Sequence, residues 1–304
     1  MKRILIGFFG ILIFSNISAC TRPYSVNKLK KEKVLTSFTI LEDLVKNIAG
    51  DELDVQSITK RGVEVHGYKT TPSDLIRSSN AFLFVENGFG LELWADKFVS
   101  NLNVKRLIIS RNLEPIFIEE DAYKGKPNPH AWISPKRGQI YVDIILNALS
   151  EMKPESREIF KKNAKDYKNK LVEIDKDFSF FLNSLEKSKR YLVSCEGAFS
   201  YLASDYGLKE AYLWPVNAES QVTPKRMSKV IKLVKKKNIP TVFCESTVDS
   251  IHQLTVARET GAKFGGNFFV DSLSVKGGPA PTYLDLLRHN LNLIKKGFLL
   301  SKDN

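Results

Sequence analysis

One uninterrupted helical pattern, residues 154–187, divides this 304-residue chain and constrains its fold more than any other feature. The segment contains no glycine, and no proline after its first residue. Its apolar side chains recur at spacings of three and four: Phe160, Ala164, Tyr167, Leu171, Ile174, Phe178, Phe181 and Leu185. This spacing predicts one amphipathic helix about 50 Å long at ~1.5 Å per residue. Its stripe could pair two copies in a coiled coil, but we expect a spine that packs against both halves of the chain.

On each side of this helix, short apolar segments alternate with helical segments. The predicted strands are 34–39, 53–58, 81–85 and 105–109 in the first half, and 190–195, 210–213, 241–244 and 263–268 in the second. Short apolar strands that alternate with helices are typical of parallel sheets covered on both faces. The sequence therefore predicts an α/β protein in which two Rossmann-like lobes, 33–153 and 188–304, are joined by a single long rigid helix, 154–187.

The amino terminus has the features of a secretory signal. A short basic start precedes residues 4–14, which are almost wholly apolar, and Ser-Ala stands directly before Cys20. The apolar run is too short to span a membrane comfortably and is typical of a signal peptide. The cysteine resembles that of a bacterial lipobox, although Ile17 stands where leucine is usual. We expect residues 1–19 to be removed, Cys20 to be lipidated and residues 20–32 to form a tether outside the cytoplasmic membrane; a plain signal peptide is the alternative.

The composition excludes several classes of protein. Hydrophobic residues at 43% and charged residues at 26% are ordinary for a globular protein. The three cysteines include no C-x-x-C pair, which argues against a disulfide scaffold, a zinc ribbon or thioredoxin-type redox chemistry. The net charge of +12 is spread through helical segments such as 225–237 rather than collected in a tail. We therefore expect solvated helix faces and no nucleic-acid binding.

Four side chains that can bind a metal lie in loops near predicted strand ends. His66 follows the second strand, and His130 lies in a proline-rich loop after the fourth. Glu196 and Asp271 follow strands of the second half. Open α/β sheets bind ligands outside the carboxyl ends of their strands. Each of these residues alone is more often structural or solvated, so the prediction of a site depends on convergence of the four loops.

Residues 33–299 resemble the solute-binding lipoproteins of bacterial manganese/zinc/iron ABC importers. The matching segments, in chain order, are Gly62–Asp74, Asn87–Trp94, Pro129–Trp132, Ser194–Tyr201, Cys244–Ser246 and Phe269–Leu273. The resemblance implies a metal bound by His66, His130, Glu196 and Asp271. Glu196 is similar to the third ligand of the manganese/iron-type branch, where another branch supplies a histidine. The resemblance also implies delivery to a membrane permease that is driven by a cytoplasmic ATPase.

The chemistry of this ligand set favours manganese. Two carboxylates balance the charge of a divalent cation, and oxygen donors suit Mn²⁺ or Fe²⁺, whereas Zn²⁺ accepts either mixture. Zinc-specific relatives commonly carry a His-rich acidic loop, but the acidic segment 114–125 contains no histidine. We therefore expect Mn²⁺ as the bound ion, with Fe²⁺ and then Zn²⁺ as alternatives.

Three further residues lie at or directly after strand ends in the second half. Glu245 follows Phe-Cys as Glu196 follows Ser-Cys, and it could accept a hydrogen bond from a ligating histidine. It could equally cap the next helix or pair with a basic residue. Cys195 and Cys244 are predicted on neighbouring strands, which would allow a disulfide in an oxidising compartment. We nevertheless expect two buried free thiols.

An enzyme remains the main alternative class. Two histidines and one glutamate also form hydrolytic zinc sites, in which an open position holds water. The sequence contains no His-Glu-x-x-His motif, and its four candidate ligands come as a closed set from both halves. We therefore expect a monomeric, lipid-anchored binding protein rather than a metallohydrolase, an adhesin or a structural lipoprotein.

Overall fold

The strands predicted from the sequence are all present, with small shifts at their ends. The computed structural model describes residues 31–100, 102–120, 123–216 and 222–300, so Cys20 and most of the predicted tether lie outside the described residues. The strands are β1 (Lys33–Thr36), β2 (Asp54–Ser57), β3 (Ala81–Glu86), β4 (Lys105–Ile108), β5 (Tyr191–Glu196), β6 (Lys209–Trp214), β7 (Thr241–Glu245) and β8 (Lys263–Phe268).

The helices cover these strands and connect them. They are α1 (Thr39–Ala49), α2 (Pro72–Ser78), α3 (Ala95–Val99), α4 (Pro135–Met152), α5 (Arg157–Asn183), α6 (Ser200–Tyr206), α7 (Pro224–Lys236), α8 (Ile251–Thr260) and α9 (Tyr283–Leu299). None of the helices in the described ranges is long and apolar enough to cross a bilayer.

The first lobe contains one parallel sheet with the strand order β2-β1-β3-β4. The order reverses between β1 and β3, so the chain leaves these two strands toward opposite edges. Such a reversal opens a crevice at the carboxyl ends of the strands, where α/β proteins bind ligands. The predicted Rossmann-like architecture is confirmed for this lobe.

The second lobe contains two parallel strand pairs, β5-β6 and β7-β8. β5 and β7 lie side by side, but no backbone ladder joins these two fully described strands. Instead, the amide of Gln253 in α8 donates to the carbonyl oxygens of Val193 at 3.3 Å and Phe243 at 2.8 Å. A buried side chain thus bridges the backbones of the two adjacent strands.

Cys195 and Cys244 form a disulfide between β5 and β7, so our expectation of free thiols was wrong. The predicted adjacency of the two strands is correct. The two residues stand at the same level of their strands, and their Cα atoms are 4.8 Å apart, which is within the range that a disulfide can bridge. The bond links the two strand pairs of the second lobe covalently.

The spine α5 is shorter than predicted at both ends: Pro154–Ser156 forms a 3₁₀ turn before it, and the helix ends at Asn183, ahead of a second 3₁₀ turn at Lys187–Lys189. Its buried stripe consists of Phe160, Ala164, Tyr167, Leu171, Ile174, Phe178 and Leu182. The helix packs against α1 and α4 of the first half and α9 of the second. The stripe is therefore covered within the chain, which confirms the spine and excludes a coiled coil through this face. The lobe boundaries proposed from the sequence stay a prediction, since Lys31 onward forms one compact unit.

α4 is the main helix that the sequence analysis missed. Ser134-Pro135 begins it, with proline at the first helical position, where its missing N–H is not needed. Its buried residues, Gly138, Tyr141, Val142, Ile145 and Leu149, recur at helical spacing. The pattern was thus present, but the proline-rich segment before it favoured interpretation as a loop.

Leu171→Ala should lower the free energy of unfolding by about 2–5 kcal/mol, because it opens a cavity at the centre of the spine. Leu171 is fully buried. Phe180→Ala on the opposite face is the matched control, since Phe180 is 80% exposed and its loss should cost no more than about 0.5 kcal/mol. Denaturant unfolding of the two variants measures both values. Equal losses in the free energy of unfolding would contradict a stabilising role for the buried stripe.

Candidate metal site

The four candidate ligands converge on one point between the lobes. The Nε2 atoms of His66 and His130 lie 3.2 Å apart. Oε1 of Glu196 and Oδ1 of Asp271 each lie 3.6 Å from Nε2 of His66 and 3.7 Å from Nε2 of His130. Four donors ~2.1 Å from a single tetrahedral ion would be ~3.4 Å from one another. The donor atoms of His66, His130 and Asp271 lie within 4.8 Å of one another, and Glu196 approaches both imidazoles, so the group can hold one metal ion.

Each lobe contributes two of these side chains, and each comes from the carboxyl end of the sheet. His66 lies between β2 and α2, and His130 directly precedes the short 3₁₀ turn Ala131–Ile133. Glu196 is the last residue of β5, and Asp271 follows the end of β8. The predicted convergence of strand-end loops is thus observed.

All four side chains are removed from solvent. His66 is 7% exposed, His130 0%, Glu196 3% and Asp271 1%. Buried carboxylates are costly unless they are paired with a positive charge. Oδ1 of Asp271 has no hydrogen-bond partner among the described residues. An orphaned buried carboxylate oxygen, aimed at two imidazole nitrogens, fits a divalent cation as the missing partner.

The protonation state of the metal-free site follows from the same burial. Burial opposes a charge on His66, but the Asp271 carboxylate, reinforced by Glu196, outweighs it and raises the pKa of His66 to about 9. Burial likewise opposes ionisation of Asp271, yet the two histidines hold its pKa below the usual value. A proton on His66 therefore stands in for part of the charge that a metal ion would supply.

His130 is fixed by Asn128, a residue that the sequence analysis did not single out. Oδ1 of Asn128 accepts the backbone N–H of His130 at 3.0 Å and faces its Nδ1 at 2.9 Å. Because the atom that accepts a backbone N–H must be the amide oxygen, Nδ1 of His130 carries a hydrogen and donates it. Nε2 then keeps its lone pair for the metal, which is the usual role of a residue behind a ligating histidine.

Asn128 also connects the two lobes. Its Nδ2 donates to the carbonyl oxygen of Gly197 at 2.6 Å and to Oγ of Ser200 at 3.2 Å, next to the ligand Glu196. The signal in the sequence was an asparagine two residues before the histidine, a spacing at which its side chain can reach the following backbone.

The comparison with known protein families decides which kind of protein this is. The profile of the family described as zinc-uptake complex component A, periplasmic (ZnuA), matches residues 34–297. The chain belongs to this family. The resemblance inferred from the sequence motifs is confirmed.

Individual ZnuA-family relatives match over nearly their whole length. The iron-binding protein YfeA of Yersinia pestis is 42% identical over 296 residues, which are 96% of this chain and 95% of YfeA. The manganese ABC transporter substrate-binding lipoprotein PsaA of Streptococcus pneumoniae is 33% identical over 305 residues, 98% of each chain. Both are named for metal binding, and the second for transport.

Solved structures agree with the two-lobed fold. The Mn-bound periplasmic metal-binding protein of Candidatus Liberibacter asiaticus superposes with a TM-score of 0.83 at 36% identity, covering 88% of this chain and 100% of that one. The periplasmic zinc-binding protein TroA of Treponema pallidum has a TM-score of 0.82 at 24% identity and shares the fold.

Glu245 lies behind the site of this ZnuA-family chain, but not in the role considered from the sequence. Its Oε2 accepts the backbone N–H of Glu196 at 3.2 Å rather than a hydrogen from a histidine. Burial, reinforced by the neighbouring Glu196 charge, raises its pKa well above the usual value. Glu245 therefore supports the backbone of Glu196 in surroundings that disfavour a third negative charge.

Asn128→Ala should lower the affinity for Mn²⁺ by about 10–100-fold, because His130 loses the acceptor that fixes its ring and tautomer. Asn128→Asp keeps the acceptor oxygen and should retain more affinity than the alanine variant. Asn112→Ala, at an exposed position of the same lobe, is the control. Competition with a fluorescent chelator measures each constant, and an alanine variant equal to Asn112→Ala would refute the role of Asn128.

Metal affinity should fall as the pH falls below about 9, the pKa of His66 in the metal-free site. A ligating imidazole must be neutral, so one proton leaves as the ion binds and affinity drops about tenfold per pH unit. An ordinary histidine, with a pKa of about 6.5, would leave affinity flat above about pH 7.5. Calorimetry in buffers of different ionisation enthalpy counts the released proton, and no release near about pH 8 would contradict the raised pKa.

Proposed function

We propose that this chain is the substrate-binding component of an ABC importer. It captures one divalent transition-metal ion between its lobes, through His66, His130, Glu196 and Asp271, and delivers the ion to a membrane permease with a cytoplasmic ATPase. The observation that carries the proposal is the convergence of four buried side chains: the two imidazole Nε2 atoms lie 3.2 Å apart, and a carboxylate oxygen of Glu196 and one of Asp271 each lie 3.6 to 3.7 Å from both.

The arrangement suits capture of an ion better than catalysis with one. A hydrolytic zinc site keeps a coordination position open for water and substrate. Here two donors come from each lobe and all four are buried, so an ion held between them is enclosed. The ring of His130 also packs against Trp132, with ring centroids 5.2 Å apart, which limits access from that side. The metal is therefore cargo in this proposal.

Manganese is the cargo that we favour, with iron next and zinc third. PsaA is named for manganese and YfeA for iron, and both relatives match almost the entire chain. Two carboxylates offer extra oxygens for the five or six donors that Mn²⁺ accepts. Zinc binds more tightly than manganese at almost any site of nitrogen and oxygen ligands. We therefore expect zinc to compete in vitro, while availability and release at the permease select the transported ion.

The protein acts outside the cytoplasmic membrane in this proposal. The apolar segment 4–14 directs export, and the lipidated Cys20 with the tether 20–32 keeps the binding lobes near the permease. PsaA is named a lipoprotein, as are other relatives of the same kind. We propose that the exported chain works as a monomer, since each copy carries a complete set of four ligands.

His130→Ala should abolish stoichiometric binding of Mn²⁺ and uptake of radiolabelled manganese by cells that depend on this protein. The variant leaves three ligands and a void at the centre of the shell. His252→Ala is the matched control, because His252 lies in α8, away from the four ligands. Wild-type protein that binds no metal would overturn the proposed function. Efficient zinc uptake through the wild type would instead overturn the choice of manganese.

A further inference from the structure

The two candidate histidine ligands are held in different ways. His130 is fixed through its ring, since Nδ1 donates to Asn128. Nδ1 of His66 is buried and has no hydrogen-bond partner in the part of the chain that the structure describes. The direction of the His66 ring must therefore be set by its backbone and by packing.

Glu64 holds that backbone. Its Oε1 accepts the N–H of His66, and its Oε2 accepts the N–H of Gly67 at 2.8 Å. One carboxylate thus binds two consecutive amides and fixes the peptide on each side of the His66 Cα atom. Because the Cα–Cβ direction follows from these peptides, Glu64 fixes the backbone from which the His66 ring projects, and packing then sets the ring itself.

Other contacts anchor the loop at its flanks. Nε1 of Trp94 donates to the carbonyl oxygen of Val65 at 2.9 Å. The hydroxyl of Tyr68 donates to Asp74 at 2.9 Å. Neither contact reaches the N–H of His66, so they do not replace the carboxylate of Glu64 at this position.

His66 is also the candidate ligand nearest to solvent. As a whole residue it is 7% exposed, whereas the other three ligands are exposed by 3% or less; its side chain, at 4%, differs little from that of Glu196 at 3%, so the added exposure lies in the His66 backbone. Glu64 itself is half-buried and Gly67 is exposed, so the chain is open to water directly beside His66. An ion that leaves the site with the least disturbance of packing passes on this side.

From these observations we infer that Glu64 is the positioning residue for His66, and that His66 is the ligand through which the ion enters and leaves. Glu64 thereby sets the rate of metal release. This inference rests on the proposed function, since it assumes that the four side chains bind an ion. It adds that the two histidines have different kinetic roles.

Stopped-flow removal of Mn²⁺ by excess chelator tests this inference on the exported chain. Glu64→Ala should raise the dissociation rate at least tenfold and leave the melting temperature of the metal-free protein within a few degrees. Glu64→Gln retains one acceptor oxygen for the N–H of His66, so its rate should lie closer to wild type. Glu114→Ala, which removes an exposed carboxylate from the same lobe, is the control for charge and should release Mn²⁺ at the wild-type rate.

A double-mutant cycle tests whether Glu64 acts on metal binding through His66. In a His66→Ala background, which binds Mn²⁺ only weakly, Glu64→Ala should change the residual affinity, measured by titration with excess Mn²⁺, by less than about twofold, because the side chain that it positions is absent. Full additivity of the two substitutions, or equal rates for Glu64→Gln and Glu64→Ala, would overturn the inference in favour of a charge effect. Wild-type release in Glu64→Ala would overturn it outright. Failure of the wild type to bind Mn²⁺ would be a failure of the proposed function instead.

Discussion

Two carboxylates buried beside two imidazoles are the constraint on which this structure depends. Glu196 and Asp271 are removed from water, and burial of uncompensated negative charge is among the most expensive events in folding. Without metal, part of the compensation comes from a proton on His66. The fold must therefore tolerate a site that is incompletely neutralised, and it must keep the donors in place until a cation arrives.

The rest of the architecture resists the repulsion within that site. The spine α5 packs against helices of both halves. Close to the site, Nε1 of Trp132 donates to the carbonyl oxygen of Val270 at 3.0 Å, and the N–H of Leu273 donates to Oγ1 of Thr39 at 2.9 Å. These bonds join loops of opposite lobes on the side of Asp271. Because the donors are already near metal-binding distances, the energy of binding is not consumed by a large closure of the lobes.

Periodicity was enough to predict the strands and the spine, because each leaves a local trace in the sequence. Strand-end position only suggested the four candidate ligands, and the family resemblance was needed to name them as a set. The disulfide left no such trace, since Cys195 and Cys244 could have been bonded or free at the same strand adjacency. Asn128 and Glu64 were missed for a related reason. Their roles consist of hydrogen bonds to backbone N–H groups near a histidine, and any polar residue in a loop could make such bonds. Only the folded coordinates distinguish the ones that do.

The lack of a backbone ladder between the fully described strands β5 and β7 has a consequence for the ion that the site accommodates. Glu196 belongs to one strand pair and Asp271 follows the other, and no ladder fixes the separation of the pairs. The side chain of Gln253 and the bond between Cys195 and Cys244 span the gap instead. The span between the two carboxylates is thus set by side-chain length rather than by the constant spacing of a sheet. Substitutions among the side chains that bridge β5 and β7 can consequently adjust this span to the radius of a different ion, with all four candidate ligands unchanged.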